Sequence, residues 1–568
     1  MLKYARSLLD SVLGRKRALD EEPESSGSAN EDYSNKKLKV EDDTKMVYKV
    51  YISNIPTCTS SAIKKYLADK GIPRISKSPQ WDYAIATYKS KEEAEQAMKN
   101  VEGQKFKNKV LKASIQESTE EDHRNRFINK ANKKKGKKNA EEDADPNLTP
   151  AERLANQVTP LHKMPYDEQL KKKQRTGEHH LLNFKRELNK LQLSGPERHQ
   201  INWAKQPGLP CEVLEIIASP EEEGYRTKCE FTIGKNFDGE ATVGFLLGLF
   251  RLGIVAVLEP SDLKNIPISA KKIAKAMQDY VRASDYPVYD REAKEGVWRT
   301  LMTKTQRTGD IMIVVQIKSE GLGDDKVDEL KKDLIDYWTV RVKDQDIEVT
   351  TLLFQEWDGV SNGLTDRAPT QVLYGDGYIY EELLGCRFRI SSSAFFQVNT
   401  PGAELLYSKC AEWCNLGDGR KTTLLDICCG TGTIGITMAK SVDQANAERN
   451  GIKNVKYYAN KVEDRLDVFR RKGDEEIVAV LDPPRNGVHA SVIRAIREAE
   501  HIDKLIYISC DAKQAAPNFL TLCRPQSQRV KGLPFKPVRA VSVDLFPHSE
   551  PSELMIEFAR VRPEEPEE

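Results

Sequence analysis

The sequence predicts a multidomain α/β protein whose carboxyl-terminal part is a doubly wound, Rossmann-like sheet. The chain has 568 residues, more than a single hydrophobic core usually serves. Leu424–Thr433 is an apolar strand that runs into a glycine turn, and a second apolar strand, Leu505–Cys510, ends in a cysteine. A strand, a glycine turn and a helix in that order let the backbone approach a nucleotide-like cofactor. We therefore expect both strands in one sheet, with the thiol at its rim.

Composition excludes several classes of protein. The chain carries 88 Lys and Arg against 87 Asp and Glu, so a nucleic-acid partner would have to be recognised by local basic stretches. The 10 cysteines form no pair of CxxC knuckles, and neither a metal site nor an iron–sulfur cluster is expected. No apolar run is long enough to cross a membrane. Reduced thiols and the basic patches Arg15–Arg17 and Lys36–Lys39 favour a cytoplasmic or nuclear location, or both.

The amino-terminal part begins with a polar segment and continues with a small α+β pattern. Residues 1–46 are rich in Ser, Glu, Asn, Asp and Lys and are predicted to be a disordered tail. Residues 47–117 show strand and helix patterns in alternation, with Tyr51 and Tyr83 on two of the strands. This order resembles the RNA recognition motif, an α+β sandwich that stacks bases on sheet aromatics. Because a further stacking position holds Ile85, RNA stacking on Tyr51 and Tyr83 and a protein-docking role both stay open.

Residues 118–205 are predicted to be a charged, largely helical linker. Acidic and basic runs alternate here, and long solvated segments have this composition. Two basic runs, Lys130–Lys138 and Lys171–Arg175, have two interpretations. They are either solvated surface or, beside an RNA-type domain, contacts to phosphates.

Residues 206–385 are predicted to form a separate, central α/β domain that binds RNA. Strand and helix patterns alternate along this part of the chain. Tyr225–Ile233 and Trp298–Thr305 have the pattern of strands that carry basic residues on one face. Such a face could hold a phosphate backbone.

The remaining residues, 386–568, follow the doubly wound pattern and carry five motifs. In order these are Phe395–Asn399, Cys429–Gly432, Asp482–Arg485, Ser509–Ala512 and Asp544–Glu553. The third motif places an acid and two prolines at the end of an apolar strand, which forms a rigid floor beside a cofactor pocket. Taken together and in this order, the motifs resemble those of the RNA uracil-5-methyltransferases, and the resemblance extends from about Tyr225 to the carboxyl terminus.

The resemblance implies a cofactor, a substrate and roles for individual residues. The cofactor is S-adenosyl-L-methionine and the partner is tRNA, or another structured RNA, with a T-loop uridine as the target. Cys510 attacks carbon 6 of uracil as a thiolate, and Glu553 later removes the proton from carbon 5. Phe395 lies near the uracil. The residues that the resemblance places around the cofactor are Gln397, Cys428, Gly430, Gly432, Thr433 and Asp482.

One departure from the family pattern follows the glycine turn. Related enzymes have a second strand there that ends in an acid for the cofactor ribose, whereas residues 435–450 show only helical patterns. The cofactor domain is therefore predicted to lack that strand and its acid. One alternative function is a catalytically impaired protein that binds or folds tRNA. Another is a cytosine-5 RNA methyltransferase, although that family usually has a cysteine after the Asp482-Pro483 pair.

Overall fold

The structure is a computed structural model of the chain. It describes residues 46–56, 60–72, 75, 83–88, 90–119, 148–193, 195–248, 256–291, 293–359, 361, 363–415, 422–439, 458, 461–470 and 476–562. The chain divides into two units, Met1–Asp145 and Pro146–Glu568. Residues 1–45 of the predicted tail and the basic run Lys130–Lys138 lie outside the described residues. None of the described helices combines the length and the hydrophobicity that crossing a bilayer requires.

The first unit contains a small antiparallel sheet. In chain order its elements are β1 (Met46–Ser53), α1 (Ser60–Asp69), β2 (Ala84–Tyr88), α2 (Lys91–Val101), β3 (Lys105–Phe106), β4 (Lys109–Val110) and β5 (Lys112–Thr119). β1 lies between β2 and β5, and β3 pairs with β4. Val50 and Ile52 are buried, so Tyr51 between them lies on the opposite face, where its ring centroid is 6.3 Å from that of Tyr83. The predicted alternation of strands and helices is present, while the RNA recognition motif itself stays a prediction.

The second unit begins with helices that pack against its sheets. These are α3 (Pro150–Val158), α4 (Tyr166–Asn189) and α5 (Gly195–His199), followed by a short helical turn, Asn202–Lys205. Leu181, Phe184 and Leu188 lie on one face of α4 and join the core of the carboxyl-terminal sheet. The described part of the predicted linker, 118–205, therefore differs from a solvated connection. Its apolar residues recur at helical spacing and pack within the second unit.

A seven-stranded sheet follows, in the order β13-β12-β11-β10-β7-β8-β9. The elements from the end of α5 to this sheet's last strand are β6 (Glu212–Val213), β7 (Lys228–Lys235), β8 (Ala241–Leu247), β9 (Ala256–Leu258), α6 (Ile268–Ala283), β10 (Trp298–Thr305), β11 (Ile311–Ile317), α7 (Asp324–Asp336), β12 (Thr351–Glu356) and β13 (Thr370–Tyr374). Helices α6 and α7 contribute to the core on one face. On the other face Met302, Met312 and Val314 join a core shared with the carboxyl-terminal sheet, so the two parts pack as one body.

Two basic side chains of β10 are used inside the protein. Arg299 is 4% exposed and donates to three backbone carbonyls in the segment 357–361. Lys304 is 2% exposed, and its Nζ donates to the carbonyl oxygens of Ser391 at 2.7 Å and Ala394 at 3.0 Å. The prediction that this strand presents its basic residues to an RNA backbone is wrong for Arg299 and Lys304. Both side chains are buried, and both donate their hydrogen bonds to backbone carbonyls of the protein.

The carboxyl-terminal sheet has six strands in the order β16-β17-β18-β20-β19-β6. The elements after β13 are β14 (Tyr378–Leu383), β15 (Cys386–Ser391), α8 (Thr400–Cys414), β16 (Thr422–Ile427), α9 (Thr433–Ala439), β17 (Glu476–Leu481), α10 (Ala490–Glu498), β18 (Ile502–Ser509), α11 (Ala512–Cys523), β19 (Phe535–Val543) and β20 (Glu553–Arg560). β16, β17 and β18 are parallel, and β20 is antiparallel to both β18 and β19. This arrangement agrees with the predicted Rossmann-like sheet.

Among the described strands, β16 lies at one end of this sheet and β6 at the other. Within the described ranges, β16 pairs on one side only, with β17. The second strand and its acid, which the sequence is predicted to lack, would fall near residues 440–457. These residues lie outside the described residues. The shortened cofactor domain therefore stays a prediction.

Candidate active site

Parallel pairing brings the ends of three strands to one edge of the carboxyl-terminal sheet. Ile427 of β16 lies opposite Leu481 of β17, and Leu481 lies opposite Tyr507 of β18. The glycine turn follows the first strand, Asp482 the second, and Cys510 comes soon after the third. Doubly wound sheets bind ligands beyond the carboxyl ends of their strands. The structure therefore brings together three motifs that are distant in the sequence.

The glycine turn has a left-handed backbone at three positions. The φ angles of Cys428, Gly430 and Gly432 are 70°, 55° and 76°. The amide of Gly432 donates to the carbonyl of Cys429 at 2.7 Å, which closes the turn before α9. A Cβ at position 430 would meet no described atom within 4 Å, which leaves room for a ligand beside the backbone. Cys428 adopts this conformation without being a glycine, and such strain is often found at functional sites.

Three carboxyl groups lie near this edge, those of Asp426, Asp482 and Glu553. Asp426 accepts from the amide of Gly435 at 2.9 Å through Oδ2, while its Oδ1 has no hydrogen-bond partner among the described residues. Removal from water raises the pKa of Asp426 to about 6 and, with the charge of Asp426, that of Asp482 to about 7. Burial and the charge of Asp482 raise the pKa of Glu553 to about 8, against the effect of Arg485. Among the described residues, no basic side chain lowers the pKa of Asp426 or Asp482, so these two carboxyl groups suit a cationic ligand.

The thiol of Cys510 lies beside this cluster. Ser509 at the end of β18 pairs with Leu554, the neighbour of Glu553 on β20. Cys510 is half-buried, and loss of solvation followed by the charge of Glu553 raises its pKa to about 11. The guanidinium of Arg485 opposes this rise. A thiol, a carboxyl group and a guanidinium therefore interact at the rim of the sheet.

The segment before α8 contacts the glycine turn. The backbone carbonyl of Phe395 accepts from the hydroxyl of Thr431 at 3.3 Å. The side chain of Phe395 is 68% exposed, whereas Gln397 is buried. Thr433 is buried too, and its hydroxyl lies 3.3 Å from that of Tyr407. The exposed ring of Phe395 is available to an incoming planar group.

Three residues beside the site had no role in the sequence-based prediction. Asp426 is an acid within an apolar strand, which is a signal that could have been used. Tyr407 lies on α8, and burial together with the charge of Asp482 raises its pKa. Arg485 belongs to a predicted motif but was given no role there. Only tertiary packing brings Tyr407 to this edge.

The remaining predicted residues fall elsewhere. Tyr51 and Tyr83 belong to the first unit, where their rings share one face of the sheet. In the part of the chain that the structure describes, no group of three or more His, Cys, Asp or Glu side chains is arranged to hold a metal ion.

The arrangement is typical of a Rossmann-like enzyme that binds a nucleotide-like cofactor, with a glycine turn and a thiol at one sheet edge. No protein-family model matches the sequence. The crystal structure of Pyrococcus abyssi tRNA (uracil-54, C5)-methyltransferase with S-adenosyl-L-homocysteine is similar at a TM-score of 0.47 and 18% identity, covering 70% of this chain and 85% of that one.

Two curated relatives have higher sequence identity. tRNA (uracil-5-)-methyltransferase homolog A of Homo sapiens is 35% identical over 543 residues, covering 91% of this chain and 83% of that protein. tRNA (uracil-5-)-methyltransferase homolog B of Mus musculus is 35% identical over 430 residues, covering 72% and 86% respectively. The chain belongs to the tRNA (uracil-5-)-methyltransferase family. Membership of this family, which the five motifs predicted, is confirmed.

Proposed function

We propose that the protein transfers a methyl group from S-adenosyl-L-methionine to carbon 5 of a T-loop uridine in tRNA. The observation that supports this most directly is the Cys510 thiol beside the Glu553 carboxyl, at the sheet edge that carries the glycine turn. Methylation of carbon 5 through a covalent adduct needs a nucleophile, a base and a cofactor turn in one place. Membership of the family supports the choice of uracil and tRNA.

The proposed mechanism uses Cys510 and Glu553 in turn. Carbon 5 of uracil is a weak nucleophile. Attack of the Cys510 thiolate on carbon 6 converts the ring to an enolate, in which carbon 5 is nucleophilic. The bound cofactor would supply an electrophilic methyl group. The carboxylate of Glu553 then removes the proton from carbon 5, the bond between carbon 6 and sulfur breaks, and the thiolate leaves. Arg485 opposes the rise in the pKa of the thiol and so favours the attacking form.

The residues around the glycine turn fit S-adenosyl-L-methionine. Its sulfonium and ammonium groups are cations, and no described basic side chain offsets the raised pKa values of Asp426 and Asp482. Oδ1 of Asp426, which has no hydrogen-bond partner within the described ranges, is an acceptor that such a ligand could use. The side chains and backbone that we propose as the cofactor site are those of Gln397, Cys428, Gly430, Gly432, Thr433 and Asp482.

A tRNA that carries 5-fluorouridine tests the covalent step. Fluorine at carbon 5 cannot be removed as a proton, so the adduct stays after methyl transfer. We expect a cofactor-dependent protein–RNA complex that survives denaturation and whose crosslinked peptide contains Cys510. Cys510→Ala should abolish the complex, whereas Cys211→Ala, at a half-buried thiol near β6, should keep it. A folded protein that binds this tRNA and forms no adduct would contradict the mechanism.

The second candidate is a tRNA-binding or tRNA-folding protein with impaired catalysis. It is favoured by one observation, the run of helical patterns over residues 435–450, where related enzymes have a second strand that ends in an acid. This candidate predicts that calorimetric titration finds tRNA binding without cofactor binding, and low-micromolar cofactor binding would exclude it.

Cytosine-5 chemistry is disfavoured because no cysteine follows Asp482-Pro483, and a tRNA carrying 5-fluorocytidine should give no adduct.

We also propose that the first unit is an RNA recognition motif that stacks bases on Tyr51 and Tyr83. The two rings lie 6.3 Å apart, and each side chain is partly exposed. Tyr51→Leu with Tyr83→Leu should weaken tRNA binding by about 1–3 kcal/mol per stacked base and leave methylation at saturating tRNA unchanged. Tyr66→Leu, on α1, is the control. Unchanged tRNA affinity in the double variant would favour a protein-docking role.

A further inference from the structure

Helix α4 contacts the loop that leads to Glu553 through one buried ion pair. The Nζ of Lys173 lies 2.6 Å from Oδ1 of Asp544, and the two side chains are 1% and 0% exposed. The same Nζ donates to the carbonyl of Phe546 at 2.9 Å, while Oδ1 of Asp544 accepts from the Phe546 amide at 3.0 Å. These charge-assisted bonds fix the backbone of the turn from Asp544 to Phe546.

Further contacts hold the same loop on both sides of the ion pair. One helical turn before Lys173, Oε1 of Gln169 accepts from the amide of His548 at 2.8 Å. The carbonyl of His548 accepts from the amide of Leu161 at 2.9 Å. One turn after Lys173, a Cβ on Gly177 would lie 2.7 Å from Oγ of Ser542 in β19, so the helix and the strand approach closely. Helix α4 and the segment before it therefore contact the chain from Ser542 to His548.

The loop held in this way places Glu553. Val543 at the end of β19 pairs with Glu553 at the start of β20, so the two ends of the loop are adjacent. Glu553 is 4% exposed and has little room to move independently of its backbone. Without Lys173, Asp544 would be a buried charge without its cation, and the turn would have to rearrange. Such a rearrangement would shift the strand ends that carry Glu553.

We propose that Lys173 is a positioning residue for Glu553. Through Asp544, it holds the carboxylate where it can take the proton from carbon 5. Lys173 itself contacts neither the substrate nor the cofactor in this proposal. The inference rests on the proposed function, because it assigns a role within the same reaction.

The covalent intermediate distinguishes positioning from general stabilisation. With ordinary tRNA, the adduct forms when Cys510 attacks and the methyl group is transferred. It decays when Glu553 takes the carbon 5 proton and the carbon–sulfur bond breaks. A displaced Glu553 slows decay alone, so adduct accumulates while turnover falls. A loss of folded protein lowers adduct and turnover together.

Lys173→Met combined with Asp544→Asn removes both charges and leaves no unpaired buried ion. With ordinary tRNA and S-adenosyl-L-methionine, we expect kcat to fall about tenfold or more, because a displacement on the scale of 1 Å has effects of this size. The fraction of enzyme trapped as adduct on a denaturing gel should rise severalfold, with KM for tRNA nearly unchanged. Lys190→Met, at the end of α4, is the control, since its Nζ pairs on the surface with Glu187 at 2.5 Å. We expect this variant to behave as the unaltered protein.

Gly177→Ala is a milder variant that keeps every charge. Its methyl group would meet Oγ of Ser542, so the helix or the strand must shift. We expect the same rise in trapped adduct, smaller in size, and this variant decides the question if the double variant does not fold. An unchanged trapped fraction, or a parallel fall of adduct and turnover in the folded variants, would overturn the proposal. Failure of the proposed function is recognised separately, because the unaltered protein would then form no adduct with 5-fluorouridine tRNA.

Discussion

At the scale of single residues, the site disfavours the charged forms that the proposed reaction needs. The thiol of Cys510 and the carboxyl groups of Asp482 and Glu553 all have raised pKa values. The first cause is removal from water, and the second is repulsion between neighbouring acids. Titratable groups perturbed in this way often mark functional sites. A bound cation would relieve the repulsion.

The first prediction concerns the pH dependence of methyl transfer. The pKa of Glu553 is raised to about 8, so its carboxyl group becomes a base only as the pH rises through that value. The thiolate form of Cys510, whose pKa is about 11, increases about tenfold per pH unit below that value. Both effects act in one direction, and single-turnover methylation at saturating cofactor should rise from about pH 7 to about pH 9. A rate that is constant or falls between about pH 7 and about pH 9 would contradict the roles of Glu553 as base and Cys510 as nucleophile.

The second prediction is that Glu553→Gln stabilises the free protein at alkaline pH. Because the folded pKa is above the ordinary 4.5, the folded protein holds a proton that the unfolded chain releases. Stability therefore falls as the pH rises from about 4.5 to about 8, and Gln avoids this loss. We expect a gain of about 1–3 kcal/mol near pH 8.5 and none near pH 4, measured by denaturant unfolding.

The control for this variant is Glu557→Gln on the same strand. Glu557 pairs with Arg539 at 2.8 Å, so removal of its charge should give no such gain. A Glu553→Gln protein that is less stable than the unaltered chain at pH 8.5 would contradict the prediction, because it would show that the protein stabilises the charged carboxylate.

At the scale of elements, the loop after β17 is tied to α11 by one side chain. Oδ1 of Asn518 accepts from the amide of Val488 at 2.9 Å and from the hydroxyl of Tyr507 at 2.8 Å. Gly487 has a φ of 73°, and a Cβ there would lie 2.3 Å from this oxygen. The glycine therefore lets the loop that begins at Asp482 approach the helix.

The third prediction compares two glycines with positive φ. Gly487→Ala should lower the free energy of unfolding by about 1–3 kcal/mol more than Gly309→Ala. Both backbones are left-handed, but a Cβ at position 309 would meet no described atom within 4 Å, so the difference isolates the clash. The same variant should weaken cofactor binding in calorimetry, because Asp482 lies on the displaced loop. Equal destabilisation by the two changes would contradict this account.

At the scale of the whole molecule, a helix rich in charge is part of a hydrophobic core. Leu181, Phe184 and Leu188 of α4 join the same core as Phe519 of α11 and Ala540 of β19. The rings of Phe184 and Phe519 lie 5.9 Å apart, edge to face. The second unit therefore includes the described helices that precede its first strand.

The fourth prediction concerns two truncations. Removal of residues 1–145 should leave a protein with one cooperative thermal transition, because the remainder is a unit with its own cores. Removal of residues 1–190 takes away α4, exposes the apolar face that it covers, and should give aggregation or binding of a hydrophobic dye. Calorimetry and dye fluorescence measure the two outcomes. A cooperative transition in the shorter protein would show that α4 is dispensable for the fold.

The sequence by itself determined the local features of this protein. The turn at Cys429–Gly432, the strand that leads to Cys510 and the alternation of strands and helices in residues 47–117 were predicted, because steric limits and hydrophobic periodicity act between near neighbours. Tertiary structure alone decided that Lys173 pairs with Asp544, 371 positions away, whereas its basic run was interpreted as either solvated surface or phosphate contacts. It also decided the position of Tyr407 near Asp482. Such pairings depend on how distant elements pack, and periodicity along one segment carries no information about them.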